Sequence, residues 1–174
     1  MKKSMLRLVI FAVAAVSLPH LLKAQDVWAD AKNAKAAFIK TDPSMKDLFN
    51  KSYGYAIFPN IGKGAVGVGG AAGSGAVYEK EKEIGTAKMG QITVGAQAGG
   101  QAYREVIFFE NKAALDHFKE NKLEFSAGLS AVAVKAGASA DVKYRQGVAV
   151  YTETTGGLML EASVGGQKFT YKSK

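Results

Sequence analysis

The segment Gly62-Lys63-Gly64-Ala65-Val66-Gly67 matches G-x-G-x-x-G, the pattern with which a strand-to-helix turn cradles a pyrophosphate. That chemistry needs a helix opening at the glycines, so that its unpaired N–H groups point at the phosphate. Here the glycines run on into Val68-Gly69-Gly70-Ala71-Ala72-Gly73, where no helix can start. The motif therefore reads as a bent, glycine-rich strand. His117 is the one histidine beyond the first 24 residues, and the chain has no cysteine. One imidazole and no thiolate cannot assemble a Cys/His zinc site, an iron–sulfur cluster or a thiol–imidazole nucleophile. Glu105 and Glu110 flank an apolar strand, and Asp141 and Glu161 fall in expected strands, but their spacing singles out no acid–base pair. The sequence thus predicts no catalytic residue, metal or cofactor, and a protein that is not an enzyme.

The lysines are more informative. Trp28, the single tryptophan, stands one helical turn before Lys32 and two before Lys35. A tryptophan beside lysines on an amphipathic helix is what a membrane-surface segment uses, and each lysine near an anionic leaflet contributes about 1 kcal/mol. Trp28, Lys32, Lys35, Lys40 and Lys63 are the expected lipid contacts. The competing reading is a helix whose Val27–Ala31–Ala34–Phe38 stripe packs on a sheet.

The formal charge of +8 in 174 residues overstates the basicity of the folded part. Lys2, Lys3 and Arg7 precede an apolar run from Leu8 to Leu18, and Pro19 to Ala24 has the small residue of a cleavage region. Residues 1–24 read as a secretory signal cut near Ala24, the run being shorter than the ~20 residues that span a bilayer. Beyond it stand 19 basic and 15 acidic residues, a net +4. That charge, with export, argues against a nucleic-acid partner. One domain is expected over 25–174, placed in the periplasm or secreted.

Local patterns give its elements. Asp26 to Lys40 reads as a helix, and Asp42-Pro43 opens a second one through Phe49. Strands are expected at Tyr53–Phe58, ended by Pro59, and at Gly64–Gly70 and Gly75–Glu79 around a turn at Ala71–Ser74. Glu79–Glu83 reads as a solvated hairpin tip, and Ile84–Ala98 as one strand or two broken near Gly90. Tyr103–Phe109 is the most apolar run and the expected central strand. Asn111 caps an inserted helix to about Asn121, and Phe125–Val134, Ala138–Tyr144, Gly147–Glu153, Leu158–Ser163 and Lys168–Tyr171 complete the strands. Gly156-Gly157 and Gly165-Gly166 suit hairpin turns. All 20 glycines lie between Gly54 and Gly166, which fits strongly bent strands. The expected fold is α+β and β-dominated: an antiparallel bent sheet, sandwich or partial barrel with N-terminal helices and one inserted helix. A small outer-membrane barrel is disfavoured by two polar N-terminal helices and strands without aromatic girdles.

Three stretches carry a family resemblance. Gly54-Tyr55-Ala56-Ile57-Phe58-Pro59 with Lys63–Gly75 resembles the opening motif of the SYLF lipid-binding domain. Gly90–Gly100 followed by Val106-Ile107-Phe108-Phe109 resembles its middle, and Val150-Tyr151 through Gly156–Glu161 its end. The resemblance covers about residues 30–172. It implies lipid binding, with phosphoinositides and actin assembly as the business of eukaryotic members and single-domain exported proteins as the bacterial form. Two departures stand out: the charged tip Glu79–Glu83 replaces a tryptophan-containing segment, and Ala136-Gly137-Ala138 replaces a Gly-Pro turn. Together these readings predict an exported protein that binds phospholipid or an anionic membrane surface. The alternative is an envelope or extracellular module that binds another protein, actin-binding-like in its eukaryotic relatives.

Overall fold

A computed structural model describes residues 26–66, 68–93, 102–125, 130–154 and 162–174, without the side chains at 63–66, 68, 69, 92, 93, 130, 162 and 163. The expected signal segment 1–24, the Gly156-Gly157 turn, and parts of the strands expected at Ile84–Ala98, Phe125–Val134 and Leu158–Ser163 lie outside these residues. The chain runs α1 (Val27–Thr41), α2 (Met45–Lys51), β1 (Gly54–Val66), β2 (Val68–Glu79), β3 (Lys82–Thr93), β4 (Tyr103–Phe109), α3 (Lys112–Lys119), β5 (Ser130–Ala133), β6 (Val148–Thr154), β7 (Ala162–Ser163) and β8 (Gln167–Ser173). The strands form one sheet in the order β7-β5-β6-β4-β1-β2-β3-β8. β4 is central, as its composition predicts. The sheet is mixed rather than purely antiparallel, because β5 runs parallel to β6.

Curvature organises this sheet. Four strand spacings separate β4 from β8, which in a flat sheet is about 19 Å. Yet Gln167 of β8 donates to Glu105 of β4 at 3.0 Å, and Phe169 of β8 meets Phe58 of β1 with ring centroids 5.9 Å apart. The sheet therefore curls into a partial barrel. Its end strands β7 and β8 are separated in the chain by residues 164–166, but they form no ladder with each other, so the barrel stays open.

Period-two alternation divides the strands between two cores. Ala56, Phe58, Ile107 and Phe109 point into the curl, where they meet Phe118 of α3, Phe125 and Phe169. Tyr55, Ile57, Val106 and Phe108 point outward, where α1 and α2 cover them with Ala31, Ala34, Phe38, Met45 and Phe49. Tight curvature needs bare backbone on the long strands. A Cβ added at Gly75 would stand 2.6 Å from the Ile57 carbonyl oxygen and 2.7 Å from the Phe58 ring.

Local chemistry sets the helix ends. The Asp26 carboxylate accepts from the N–H groups of Trp28 and Ala29 and caps α1. Asn111 accepts from Ala114 N–H and caps α3, as expected. α2 begins at Met45, two residues after Pro43, with Ser44 in the N-cap position.

Several expectations are corrected. Pro59 does not end β1; the strand continues to Val66, and the register shifts on both sides of the proline. A bulge accommodates the missing N–H. Ala71–Ser74 is not a turn but the middle of β2, which reverses from β1 between Val66 and Val68. Gly90 does not break β3. Gly165-Gly166 joins the two opposite ends of the sheet and so makes no hairpin.

Ala138–Tyr144 is irregular rather than a strand, because a buried carboxylate claims its backbone. Asp42 accepts from Ser139 N and Oγ at 2.8 Å each and from Gly137 N at 3.2 Å. It also accepts from Ser44 N at 3.1 Å and Ser44 Oγ at 2.6 Å. Burial opposes ionisation of Asp42, but the bonds from Ser44, Ser139 and Gly137 outweigh it and hold the pKa at about 2. The stabilisation is present above the ordinary carboxylate pKa and is lost as pH falls from about 4 toward 2. Asp42→Asn is expected to cost about 2 kcal/mol at pH 7 and to show a smaller loss of stability between pH 4 and 2 than the parent. Urea denaturation across that range checks both.

Candidate functional site

The helix that carries Trp28, Lys32 and Lys35 lies across β1 and β2 with Ala31, Ala34 and Phe38 inward. This leaves positions 28, 32 and 35 facing the hairpin tip between β2 and β3. Glu79 pairs with Lys82 across a two-residue turn, in which Lys80 and Glu81 take φ of +46° and +64°. A type I′ turn demands such values at both positions and normally uses Asn-Gly. The tip is not merely solvated, because its carboxylates hold α1.

The Lys35 ammonium donates to Glu81 Oε1 at 3.0 Å and to Tyr55 OH at 3.2 Å. It also sits 4.9 Å from the Phe49 ring and 5.1 Å from the Tyr55 ring. Glu83 takes Lys174 at 2.7 Å and Lys32 at 3.6 Å. The Lys174 ammonium lies 5.0 Å over Trp28. Trp28 meets Tyr78 edge-on at 5.9 Å, and Tyr78 stacks on Tyr55 at 4.7 Å. A cleft of about 590 Å³ opens at this junction, with Lys32, Lys35, Lys82 and Lys174 set against Glu81 and Glu83.

Three titratable groups of the cleft are shifted by their surroundings. Burial pushes the Tyr55 phenol up, and burial with the neighbouring Tyr55 and Glu83 pushes Tyr78 up to about 12. The Lys174 hydrogen bond holds Glu83 below its ordinary range against a smaller desolvation effect. None of these three exchanges a proton near pH 7, which suits charge matching rather than acid–base work. Among the described residues, no cluster of three His, Asp or Glu side chains could hold a metal ion.

The structure therefore brings Trp28, Lys32 and Lys35 together and separates the other two expected contacts. Lys40 is exposed in the last turn of α1, about 12 Å along the helix from Lys32. Lys63 lies in β1 opposite Ala71, about 30 Å along the strand from the hairpin tip; its side chain is outside the described set.

A second basic surface adjoins the junction. On the outer face of the sheet, beyond the cover of α1, Gly62, Ala72, Ser74 and Gly90 are exposed beside Asn60 and Thr170, so small and short polar side chains make up this area among the described residues. Lys88 of β3 and Lys168 and Lys172 of β8 fringe this area and are exposed. Lys88 stands opposite Thr170, Lys168 opposite Gly90 and Lys172 opposite Thr86. Lys168 lies 3.6 Å from Glu124; among the described residues no ion pair engages Lys88 or Lys172. A cleft of about 560 Å³ separates this face from the first turn of α1, with Asp30 on one side and Ser74 and Lys88 on the other. The sequence reading missed these lysines. Their signal was Lys168, Lys172 and Lys174 at even spacing around inward Phe169 and Tyr171, the mark of a strand with a cationic outer face.

Lys35 is the test of the junction. Lys35→Ala is expected to lower stability by about 1–2 kcal/mol, through lost ring contacts as much as lost charge. Lys35→Met, which keeps the apolar stem, should recover roughly half. Urea denaturation of the three proteins measures this.

Comparison with known proteins places this geometry in context. Residues 90–174 match the family model Ysc84, described as "Las17-binding protein actin regulator". The chain is also similar to beta cell expansion factor A of Aeromonas veronii, at 35% identity over 140 residues. That alignment takes in 80% of this chain and 53% of the relative, so the chain spans about half the length of the curated relative it matches. The match takes in the middle and end motifs read from the sequence and identifies residues 90–174 as a domain of the SYLF (Ysc84) family.

Proposed function

We propose that the domain is an exported, non-catalytic module that binds anionic phospholipid surfaces through the outer face of β3 and β8, with residues 1–24 as its signal segment. One observation carries this reading. Lys88, Lys168 and Lys172 fringe an area of small and short polar side chains, and Lys32 and Lys174 continue the positive charge toward Trp28. Each lysine that this face brings near an anionic leaflet contributes about 1 kcal/mol. Lys32 and Lys174 share Glu83, so they join a lipid phosphate by exchanging one anion for another. Lys35 holds the helix and stays with Glu81 and Tyr55. The shallow, half-buried Trp28 suits the headgroup level rather than the acyl core.

Family membership supports a binding rather than a catalytic role. The export proposed above puts the chain outside the cytoplasm of the cell that makes it. Under that reading the chain meets no actin in its own compartment, and its surface partner there is the envelope or a foreign membrane.

The test is co-sedimentation of the chain from Gln25 with vesicles of phosphatidylcholine, alone or with one third phosphatidylglycerol. The expected result is binding to the anionic vesicles only, weakened by salt. Joint Lys88→Glu and Lys172→Glu replacement should reduce the partition at least roughly thirtyfold. Equal binding to both vesicles, or none to either, would sink the proposal; the latter with a saturable envelope-protein partner would favour the protein-interaction alternative.

A further inference from the structure

Inside the curl, at the level where the central and end strands touch, the core turns polar. Glu105 and Gln167 are wholly buried. Gln167 Nε2 donates to Glu105 Oε2 at 3.0 Å, and the Gln167 side chain also hydrogen-bonds Tyr103. The other oxygen of each group, Glu105 Oε1 and Gln167 Oε1, is buried without a partner. Two orphaned acceptors, one on each partner of this bond, are costly, since each buried polar atom left unpaired forfeits its hydration. A carboxylate only accepts, whereas a carboxylic acid also donates from one oxygen.

We infer that Glu105 is carried in the fold as the neutral acid and that its proton is a latch between β4 and β8. Glu105 Oε1–H donates to Gln167 Oε1 while Gln167 Nε2 donates to Glu105 Oε2, a two-bond acid–amide pair that satisfies both orphaned oxygens. When the proton leaves to water, the carboxylate faces an amide oxygen, one of the two bonds is lost, and the end strand is released from the centre of the sheet.

Among the described residues, the Gln167 amide is the group that supports the anion. Across the ladders, β1 sets Phe58 and β6 sets Thr152 beside Glu105, and β3 sets Gln91 beside Gln167. α3 turns Ala114, Leu115 and Phe118 inward, while its charged Lys112, Asp116 and Lys119 pair with one another outside the core. Tyr103, on the same strand, is the titratable group that faces Glu105, and burial holds it protonated. Arg104 and Glu153 pair with each other on the opposite face. Burial, partly offset by the Gln167 bond, accordingly raises Glu105 to about 7.

The sign follows. A carboxyl whose folded pKa is raised contributes stability fully below its ordinary pKa and loses it as pH rises through the folded one. Between pH 5 and 8 the folding constant of the parent should fall on the order of fiftyfold relative to Glu105→Gln, which keeps both bonds without a proton. Urea denaturation of the two full-length proteins from pH 5 to 8.5 reads this, and Glu105→Gln should be the more stable at pH 8. Parallel pH profiles for the two would overturn the inference. If Glu105→Gln does not fold, a carbon-13 titration of the Glu105 carboxyl in the parent decides: a midpoint near 7 supports the latch, and one at 4–5 overturns it. Amide hydrogen exchange locates it. Opening that rises first in β8 supports a latch, and opening that rises evenly through all strands contradicts one.

Discussion

The fold depends on a sheet bent tightly enough for its centre to touch its end. Eight strands laid flat would keep β4 and β8 far apart, and neither face would enclose a core. Curled, the same strands surround Phe58, Phe109, Phe118, Phe125 and Phe169. The composition makes this possible. Glycine at positions such as Gly75 lets β1 and β2 approach where a Cβ would collide, and the bulge at Pro59 re-aims β1 after its most buried stretch. α1 and α2 then cover the outer face of the central strands, where Tyr55, Phe108 and Tyr151 would otherwise meet water.

Two buried carboxyl groups show how surroundings set charge. Asp42 accepts five hydrogen bonds and is kept ionised, so it binds the loop after β5 to the start of α2. Glu105 is wholly buried and accepts one, from Gln167. Burial acts in the same sense on both, and the number of donors decides the outcome. The hairpin tip is a third case, solved in the open: Lys32, Lys35 and Lys174 share Glu81 and Glu83 and so fasten helix, hairpin and C-terminal strand at one junction.

Much of this was legible in the sequence. The stripe Ala31–Ala34–Phe38, the cap at Asn111 and the central place of Tyr103–Phe109 follow from periodicity and capping chemistry, and the glycine distribution pointed to a bent sheet. What failed was long-range. Ala138–Tyr144 alternates like a strand, but Asp42, about a hundred residues away, takes the N–H groups of Gly137 and Ser139 at its start. Gly165-Gly166 looks like a hairpin turn, but the strands it joins occupy opposite ends of the sheet. The Trp28–Lys32–Lys35 cluster was visible from helical spacing, while Lys174 joins it only through the sheet register. Glu105 drew notice only as a residue beside an apolar strand, because nothing local says that a glutamine sixty-two residues later will close on it.

The chemistry of the surface is one of charge and shape. The cleft tyrosines stay protonated, and lysines fringe an outer sheet face of small side chains. The absence of cysteine permits a direct test of the claim that this face meets lipid. A spin label on Ser74→Cys, opposite Lys88 on the outer face, is compared with one on His117→Cys, exposed on α3 across the sheet. On adding anionic vesicles, the account predicts that the label at 74 loses mobility and gains oxygen accessibility while the label at 117 keeps both. A response at 117 with none at 74, or none at either, would contradict it.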